Sequence, residues 1–283
     1  MKKSVLLLLA TSILWSSGGL LIKLVDLNPV AVAGYRALIS IFFLSLFVNK
    51  SAFKFSWNKA FGAISYASMT ILFVMATKTT TAASAILLQY TSPIYIAIFG
   101  GLLLKEKTSL RDWVVIFFIF SGMILFFLDE FGSINLIGNL FGVLSGVAMA
   151  FNTIFMRREK DADPLQNVFW GSILTVIITS PFMIVNVPGK ESWIGLALLG
   201  IFQLGLSYLL YSIAIKNIPA LQSTLICLIE PLFNPVWVYL TIGETPGTLS
   251  IIGGVIILIF VALSSIKTIR VDNLVMQPLH KQQ

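Results

Sequence analysis

The chain has 283 residues, of which 57% are hydrophobic and 11% charged, whereas a soluble domain carries about 25% charged residues. This composition excludes a soluble protein and predicts an all-α integral membrane protein with almost no extramembrane domain. The net charge of +7 suggests nucleic acid as a partner, but the positions of the basic residues make that partner unnecessary. One cysteine, Cys227, and one histidine, His280, exclude internal disulfides and a Cys/His metal cluster, and no cofactor is expected.

Ten apolar segments, each near the ~20 residues that a spanning helix needs, follow one another along the chain. We number them segments 1 to 10, at about 4–25, 29–48, 58–77, 80–104, 110–128, 136–156, 165–187, 192–215, 219–241 and 248–267. The opening Met-Lys-Lys resembles a signal peptide, but the apolar run continues to Val25 and predicts an uncleaved first helix. The sequence therefore predicts ten transmembrane helices.

The basic residues lie mainly at one end of these segments. With the N-terminus placed inside, fifteen of the 19 lysines and arginines fall inside and three fall outside, while Arg36 lies within segment 2. The three outside are Lys23, Lys78 and Lys190. The positive-inside rule therefore supports ten helices with both termini cytoplasmic, in the cytoplasmic membrane of the cell.

A shift of 138 residues aligns the second half of the chain with the first. The seven identities include the pairs Lys78/Lys216, Pro93/Pro231 and Glu106/Glu244. Each half holds five segments, an odd number, so the halves enter the membrane from opposite sides. The predicted organisation is a first five-helix repeat at 1–131, a second, inverted repeat at 132–270 and a polar cytoplasmic tail at 271–283. Inverted repeats are typical of transporters that work by alternating access around a site near the midplane.

Glu230 is an acidic residue within the otherwise apolar segment 9. A carboxylate at the centre of a spanning helix costs roughly 2.5–3.5 kcal/mol, so its presence predicts a polar site inside the protein. Pro231 and Pro235 break the same helix and leave the carbonyls of Cys227 and Pro231 without helical donors. Such bare backbone is tolerated at membrane depth where it is buried in protein or faces water.

Polar residues on matching faces of segments 4 and 9 are the first substrate-binding candidates. Glu230 and Asn234 share one helix face, and Gln89 and Ser92 fall on the equivalent face of segment 4. For Gln89, Ser92 and Asn234, bonds between neighbouring helices are the structural alternative. For Glu230, the alternative is a pair with a basic residue or a backbone amide that holds helices together.

Arg36 and several aromatic side chains complete the candidates. The Arg36 guanidinium could bind a substrate carboxylate through its planar fork, or it could snorkel to the outer interface or clamp helix ends. The aromatic candidates are Trp15, Tyr66, Phe73, Tyr208 and Tyr211. Packing and interface anchoring are the alternatives for these rings. Phe73 and Tyr211 are repeat partners, which favours a paired role.

Several features together have the pattern of a known carrier family. They are Trp15 with the small residues 16–19, Arg36, and two stretches, 82–106 and 220–244, that each contain a mid-helix proline and a terminal glutamate. With them, the chain resembles the EamA branch of the drug/metabolite transporter superfamily. The resemblance implies a gradient-driven carrier with segments 1, 3, 4, 6, 8 and 9 around a central cavity and segments 5 and 10 at the periphery. It leaves the ligand open.

The leading hypothesis is a secondary active transporter for an amino acid or similar zwitterion. An apolar site favours the neutral form of a carboxyl group, so Glu230 could load and release a proton and couple transport to the proton gradient. Glu230 could instead bind a substrate amine while Arg36 takes the carboxylate. The alternative is an organic-cation, drug or choline-like carrier in which Glu230 and an aromatic cage hold an ammonium group.

Other classes of protein fit the sequence less well. An intramembrane enzyme or lipid flippase needs a nucleophile–base pair or a lipid-facing groove, and no such pair is present, so no enzyme is expected. A non-transporting scaffold has no need of broken helices in both repeats. The partners we expect are a small-molecule substrate and the lipid bilayer, for a monomer or homodimer, without nucleic acid.

Overall fold

The computed structural model describes residues 2–48, 55–128, 135–233, 237 and 247–280, and every regular element in these ranges is a helix. The helices are α1 (Lys2–Ser16), α2 (Gly18–Leu24), α3 (Pro29–Leu44), α4 (Trp57–Thr79), α5 (Ala82–Gln89), α6 (Ser92–Leu103), α7 (Leu110–Leu128), α8 (Leu136–Arg158), α9 (Leu165–Val185), α10 (Lys190–Leu198), α11 (Ser207–Ala214), α12 (Ala220–Cys227) and α13 (Thr248–His280). A π-helix, Leu199–Leu206, joins α10 to α11.

A helix lies in each of the ten predicted segments. Segment 1 is interrupted at Ser17 between α1 and α2, and segment 4 is interrupted between α5 and α6. Within the described residues, six stretches are long and apolar enough to cross a membrane, and Pro29–Leu44, Ala220–Phe233 and Ile251–Ser264 are shorter apolar helices. The count of ten crossings and the cytoplasmic termini stay predictions. The last helix, α13, runs beyond the predicted end of segment 10 at 267 and reaches His280.

Polar caps set the starts of several helices. The Asn28 side chain accepts a hydrogen bond from the Val30 amide in front of Pro29, the first residue of α3. Ser56 and Asn135 cap α4 and α8 in the same way. Each cap satisfies an amide that has no partner within the first helical turn, so the chain can begin a helix at these points.

Several helix contacts occur twice, the second time with each segment replaced by its repeat counterpart. The counterparts are segments 1 and 6, 2 and 7, 3 and 8, 4 and 9, and 5 and 10. Segment 3 packs on segment 6 (α4 on α8), as segment 8 packs on segment 1 (α11 on α1). Segment 4 packs on segment 6, as segment 9 packs on segment 1 (α12 on α1). Segments 2 and 7 contact each other, and so do segments 5 and 10. These contacts have the pattern that two related five-helix halves would produce.

Glycines in α8 allow segment 4 to approach closely. A Cβ on Gly142 would lie 2.9 Å from the Leu88 Cβ. A Cβ on Gly146 would lie 2.7 Å from the Gln89 carbonyl oxygen and 2.9 Å from that of Leu88. The interruption between α5 and α6 is therefore pressed against α8, in the middle of the bundle.

Segments 5 and 10 lie outside this central packing. Their helices α7 and α13 pack on each other, and Phe118 stacks on Phe260 with ring centroids 4.5 Å apart. Both helices expose large apolar side chains, among them Phe117 and Ile251. Such faces suit contact with lipid, and the arrangement agrees with the peripheral position that the resemblance implied.

Candidate functional site

A small cavity lies where segments 1, 2, 3, 4, 6, 8 and 9 meet. Its volume of about 30 Å³ holds about two water molecules. The described lining residues are Trp15, Arg36, Met69, Thr70, Phe73, Gln89, Met149, Gln203, Leu204, Tyr208 and Glu230. Six predicted site residues are therefore brought together: Trp15, Arg36, Phe73, Gln89, Tyr208 and Glu230. At this volume the cavity is too small for a metabolite, so it must widen to bind one.

Arg36 is fully enclosed by protein. Its side chain is 1% exposed, which contradicts the alternative of snorkelling to the interface. The Nη1 atom donates to Gln203 Oε1 over 3.3 Å, and Nη2 donates to the Thr70 carbonyl over 3.0 Å. The Nε atom has no hydrogen-bond partner. A buried guanidinium with an unused donor at a cavity wall can bind an acceptor from a ligand.

Two glycines bring the partner of Arg36 into place. A Cβ on Gly18, at the start of α2, would lie 2.9 Å from Gln203 Nε2, so a larger residue would displace this amide from its present position. A Cβ on Gly200, in the π-helix, would lie 2.9 Å from the Arg36 carbonyl oxygen. The π-helix thus packs directly on α3 and carries Gln203 to the cavity. π-Helical turns occur often at functional sites.

Glu230 lies just beyond the end of α12 and is 5% exposed. Its Oε2 atom accepts a hydrogen bond from the Tyr90 hydroxyl. Within the described part of the chain, no lysine or arginine pairs with this carboxyl group, so the alternative of a structural ion pair finds no support. Arg36 lines the same cavity but bonds elsewhere.

Tyr90 is a site residue that the sequence did not reveal. It is fully buried at the interruption between α5 and α6, and its hydroxyl also lies 3.1 Å from the Cys227 carbonyl oxygen. Pro231 deprives this carbonyl of its helical donor, as predicted from the sequence. Tyr90 therefore bridges the broken helices of segments 4 and 9. A tyrosine at a predicted helix break was the available signal.

Aromatic rings form one connected cluster beside the cavity. The Trp15 ring centroid lies 5.1 Å from that of Tyr208 and 5.3 Å from that of Tyr211. Tyr66 meets Tyr208 edge to face with centroids 5.1 Å apart. Trp15, Tyr208 and Phe73 line the cavity, whereas Tyr66 and Tyr211 support those rings from behind. Of the repeat partners Phe73 and Tyr211, only Phe73 therefore lies at the cavity wall.

The remaining polar candidates differ in their surroundings. Gln89 lines the cavity and also donates from Nε2 to Ser145 Oγ on α8 over 2.8 Å, so its structural and binding roles are compatible. Ser92 is fully buried, and its hydroxyl has no hydrogen-bond partner, but it does not belong to the cavity lining. Asn234 lies outside the described residues.

One end of the bundle is held by an ion pair. Arg157 Nε lies 2.7 Å from Glu106 Oε1, and Arg157 Nη1 donates to the carbonyls of Ile215 and Lys216 over 2.6 and 2.7 Å. The other carboxylate oxygen of Glu106 accepts from the Ala220 amide over 2.9 Å. The ends of segments 4, 6 and 8 and the start of segment 9 are therefore tied together.

The opposite end is held by two lysines. Lys23 donates to the Thr80 carbonyl over 2.8 Å, and Lys78 donates to the Val25 carbonyl over 2.5 Å. Lys216, the repeat partner of Lys78, makes a similar bond to the Ala162 carbonyl over 3.0 Å. Hydrogen bonds thus link neighbouring segments at both ends of the bundle.

A few charged and polar side chains determine the chemistry of the cavity lining. Among the described residues, no group of three or more His, Cys, Asp or Glu side chains could hold a metal ion. The charged lining groups are one guanidinium and one carboxyl, on separate helices and with separate partners.

Comparisons with known proteins give a consistent result. The sequence profile of the EamA-like transporter family matches residues 2–128 and 136–266. A relative from Archaeoglobus fulgidus, named an uncharacterized transporter, is 25% identical over 287 residues, which cover 94% of this chain and 98% of the relative. The uncharacterized transporter YdfC of Bacillus subtilis is 23% identical over 276 residues, which cover 90% and 89%.

A solved structure shares the fold. The solved protein, a crystal structure, superimposes on the present chain with a TM-score of 0.78 at 17% sequence identity. The match covers 96% of the present chain and 99% of the solved one. At this identity the likeness supports the helical architecture and does not extend to the ligand.

Proposed function

The chain belongs to the EamA-like transporter family, and from that premise we propose that this multi-pass membrane protein carries an amino acid or similar zwitterion across the cytoplasmic membrane as a secondary active transporter. The proposed substrate class rests on one observation. Arg36 and Glu230 line the same cavity, and they bond to other groups rather than to each other. Burial of each charge is costly, so both side chains need a functional explanation.

A zwitterion offers a partner to each of these groups. Its carboxylate can accept from the Arg36 fork, including the unused Nε donor, and its ammonium can donate to Glu230. The other described lining groups are apolar, aromatic or neutral, including Met69, Met149 and Leu204. This lining favours a substrate whose side chain carries no charge, because a further buried charge would have no partner.

The organic-cation alternative is less well supported. Trp15 and Tyr208 lie beside Glu230 in the lining and could contribute to an aromatic cage for an ammonium group. However, Arg36 lies in the same wall and would repel a ligand that is only positive. A zwitterion turns that repulsion into attraction at its other end.

We propose alternating access by two inverted repeats, residues 1–131 and 132–270. The paired helix contacts support this organisation, and so do the two family matches, whose bounds fall within a few residues of the proposed ones. Ties at both ends of the bundle are the feature expected of a closed intermediate between inward-open and outward-open states. Opening one end at a time would expose the cavity to one side at a time.

We also propose that Glu230 couples transport to the proton gradient. The carboxyl group is buried in the cavity and lacks a basic partner among the described residues, so uptake or release of one proton changes the charge of the site directly. A substrate ammonium and a proton would compete for the same oxygen atoms.

Ligand-induced stabilisation of the purified protein tests the substrate class. Only a ligand that binds the folded state raises the melting temperature. Amino acids with uncharged side chains should raise it, whereas the matched amines without a carboxylate and the matched acids without an amine should raise it much less. Stabilisation by amines or quaternary ammonium compounds, with none by amino acids, would overturn the zwitterion assignment in favour of the cation carrier.

A further inference from the structure

The Tyr90 hydroxyl occupies an unusual position between two acceptors. One is the Cys227 carbonyl oxygen, 3.1 Å away, and the other is the Glu230 Oε2 atom. Tyr90 is separated from these two residues by 137 and 140 positions along the chain, so the contact exists only when segments 4 and 9 are closed on each other. Tyr90 is fully buried there, away from bulk water.

The number of protons available decides which of these contacts can be hydrogen bonds. A tyrosine hydroxyl has one proton to donate, a carbonyl oxygen can only accept, and an ionised carboxylate can only accept. With Glu230 ionised, Tyr90 can serve the carboxylate or the Cys227 carbonyl but not both. With Glu230 protonated, the carboxyl group donates to the Tyr90 oxygen, and Tyr90 donates to the Cys227 carbonyl. Every group then has a partner.

The Cys227 carbonyl has no ready substitute donor. Pro231 lacks the amide that would serve it within the helix. When Tyr90 turns to an ionised Glu230, this buried oxygen is left without a partner, which is unfavourable until water enters. The closed geometry, in which Tyr90 contacts both acceptors, is therefore satisfied when Glu230 carries a proton or receives a hydrogen bond from another donor.

We propose that Tyr90 makes closure of the cavity conditional on a hydrogen-bond donor at Glu230, an inference that rests on the proposed proton-coupled transport. The donor is either the proton of Glu230 or the ammonium group of a bound zwitterion. In both cases the Tyr90 hydroxyl can donate its proton to the Cys227 carbonyl. An empty, ionised site keeps the two broken helices apart, so the carrier cannot change sides without a proton or a substrate.

Among the residues that the structure describes, the other groups around Glu230 do not supply that donor. Arg36, from segment 2, directs Nη1 to Gln203 and Nη2 to the Thr70 carbonyl, and its unused Nε makes no bond to Glu230. Tyr208, from segment 8, directs its hydroxyl to the Met69 sulfur over 3.4 Å.

Among the described residues near Glu230, the remaining titratable group is the Cys227 thiol, which faces the Leu8 carbonyl over 3.9 Å. Segments 1 and 6 contribute Trp15 and Met149 to the cavity, and neither carries a charge. The proton count at Tyr90 is therefore set by Glu230 and by its ligand.

The single cysteine of the chain provides a direct probe. Cys227 is fully buried in the closed state, so its alkylation by N-ethylmaleimide reports opening of the segment 4–9 contact. Labelling is measured without substrate across the neutral pH range. Each rate is divided by that of a Glu230→Gln counterpart at the same pH, which cancels the intrinsic pH dependence of thiol reactivity. The side-chain amide that this substitution introduces can donate to Tyr90 and thus imitates the protonated carboxyl group.

The labelling ratio of the wild type should rise severalfold with pH, as Glu230 loses its proton. For Tyr90→Phe, the ratio is that of its labelling rate to the rate of the Tyr90→Phe, Glu230→Gln double variant. This ratio should not change with pH, because the Cys227 carbonyl and the Glu230 carboxyl group no longer share a hydroxyl. Tyr35→Phe is the control, since it removes a hydroxyl that donates to the Met183 carbonyl, away from segments 4 and 9, and its ratio should follow the wild type. An unchanged pH response in Tyr90→Phe, or a flat response in the wild type, would overturn the proposal.

Two further readouts keep the result interpretable. Glu230→Gln alone should label slowly at every pH, which tests the donor requirement even if Tyr90→Phe folds poorly. The test needs no knowledge of the substrate, so a Tyr90-dependent pH response would stand even if amino acids fail to stabilise the protein. A flat response together with amino-acid stabilisation would overturn the Tyr90 inference and leave the proposed function intact.

Discussion

Arg36 and Glu230 line the same cavity, and neither is the partner of the other. The guanidinium donates to Gln203 and to the Thr70 carbonyl, whereas the carboxyl group contacts the Tyr90 hydroxyl. A bundle built for stability alone would pair these charges or replace them with apolar groups of similar volume, which is often no less stable. Their separation supports the proposed role of both groups in binding.

Replacing Arg36 with methionine should separate stability from function. Methionine removes a costly buried charge but leaves Gln203 Oε1 without its donor. Because these effects oppose each other, we expect the free energy of unfolding to change by less than about 2 kcal/mol in either direction. Zwitterion binding should nevertheless be lost. Unfolding in mixed detergent micelles gives the first quantity, and the ligand-induced shift of the melting temperature gives the second. Severe destabilisation with retained binding would show that Arg36 is structural.

Arg36→Lys tests the geometry of the guanidinium separately from its charge. Lysine keeps the positive charge but loses the planar fork that bonds an acceptor at two points. We expect the affinity for a zwitterion to fall by about tenfold, which corresponds to about 1.4 kcal/mol. Titration of the ligand-induced stabilisation measures the dissociation constant. Equal affinities for the two proteins would contradict two-point recognition of a carboxylate.

Glu230→Gln should abolish transport driven by a pH gradient, because the amide can neither take up nor release a proton near neutral pH. Exchange of substrate across the membrane should remain measurable, since the closed state can still form. Both activities can be followed with a labelled substrate in proteoliposomes. Undiminished pH-driven transport in this variant would remove Glu230 from the coupling mechanism.

Gly146→Ala should destabilise the bundle at the break in segment 4. The added Cβ would lie 2.7 and 2.9 Å from two backbone carbonyl oxygens, which cannot move without shifting the helix, and overpacking of this kind costs about 1–3 kcal/mol. The matched control is Gly189→Ala, where nothing lies within 4 Å of the added atom, and its effect should be close to zero. Equal stabilities of the two variants would contradict the close packing of α8 on segment 4.

Glu106 and Arg157 should be energetically coupled. They form an ion pair of 2.7 Å that also collects the Ala220 amide and two carbonyls at one end of the bundle. A double-mutant cycle with Glu106→Gln and Arg157→Gln should give a coupling free energy of about 0.5–3 kcal/mol. A coupling near zero in the unfolding measurement would show that this end is held by the backbone contacts alone.

Much of the architecture follows from local sequence signals. Apolar length predicted where the helices lie, and asparagine or serine caps marked several of their starts. Glu230 with Pro231 identified segment 9 as a broken helix with a polar site, because a charge and a lost donor at membrane depth both need partners. These inferences require no knowledge of which helices pack together.

The remaining features depend on contacts between distant parts of the chain. The fate of Arg36 could not be predicted, because a long side chain snorkels or stays buried according to what the other helices place beside it. Tyr90 was missed since its partners lie 137 and 140 positions away. The π-helix Leu199–Leu206 has no compositional signature, although it alone brings Gln203 to the cavity.

Transport of three related substrates by three proteins tests most directly whether Arg36 and Glu230 hold the two ends of a zwitterion. The substrates are an amino acid, its amine without the carboxylate and its acid without the ammonium, each measured in proteoliposomes of wild type, Arg36→Met and Glu230→Gln. We expect the wild type to prefer the amino acid, Arg36→Met to lose that preference in favour of the amine, and Glu230→Gln to lose it in favour of the acid. An unaltered preference for the amino acid in both variants would contradict the assignment.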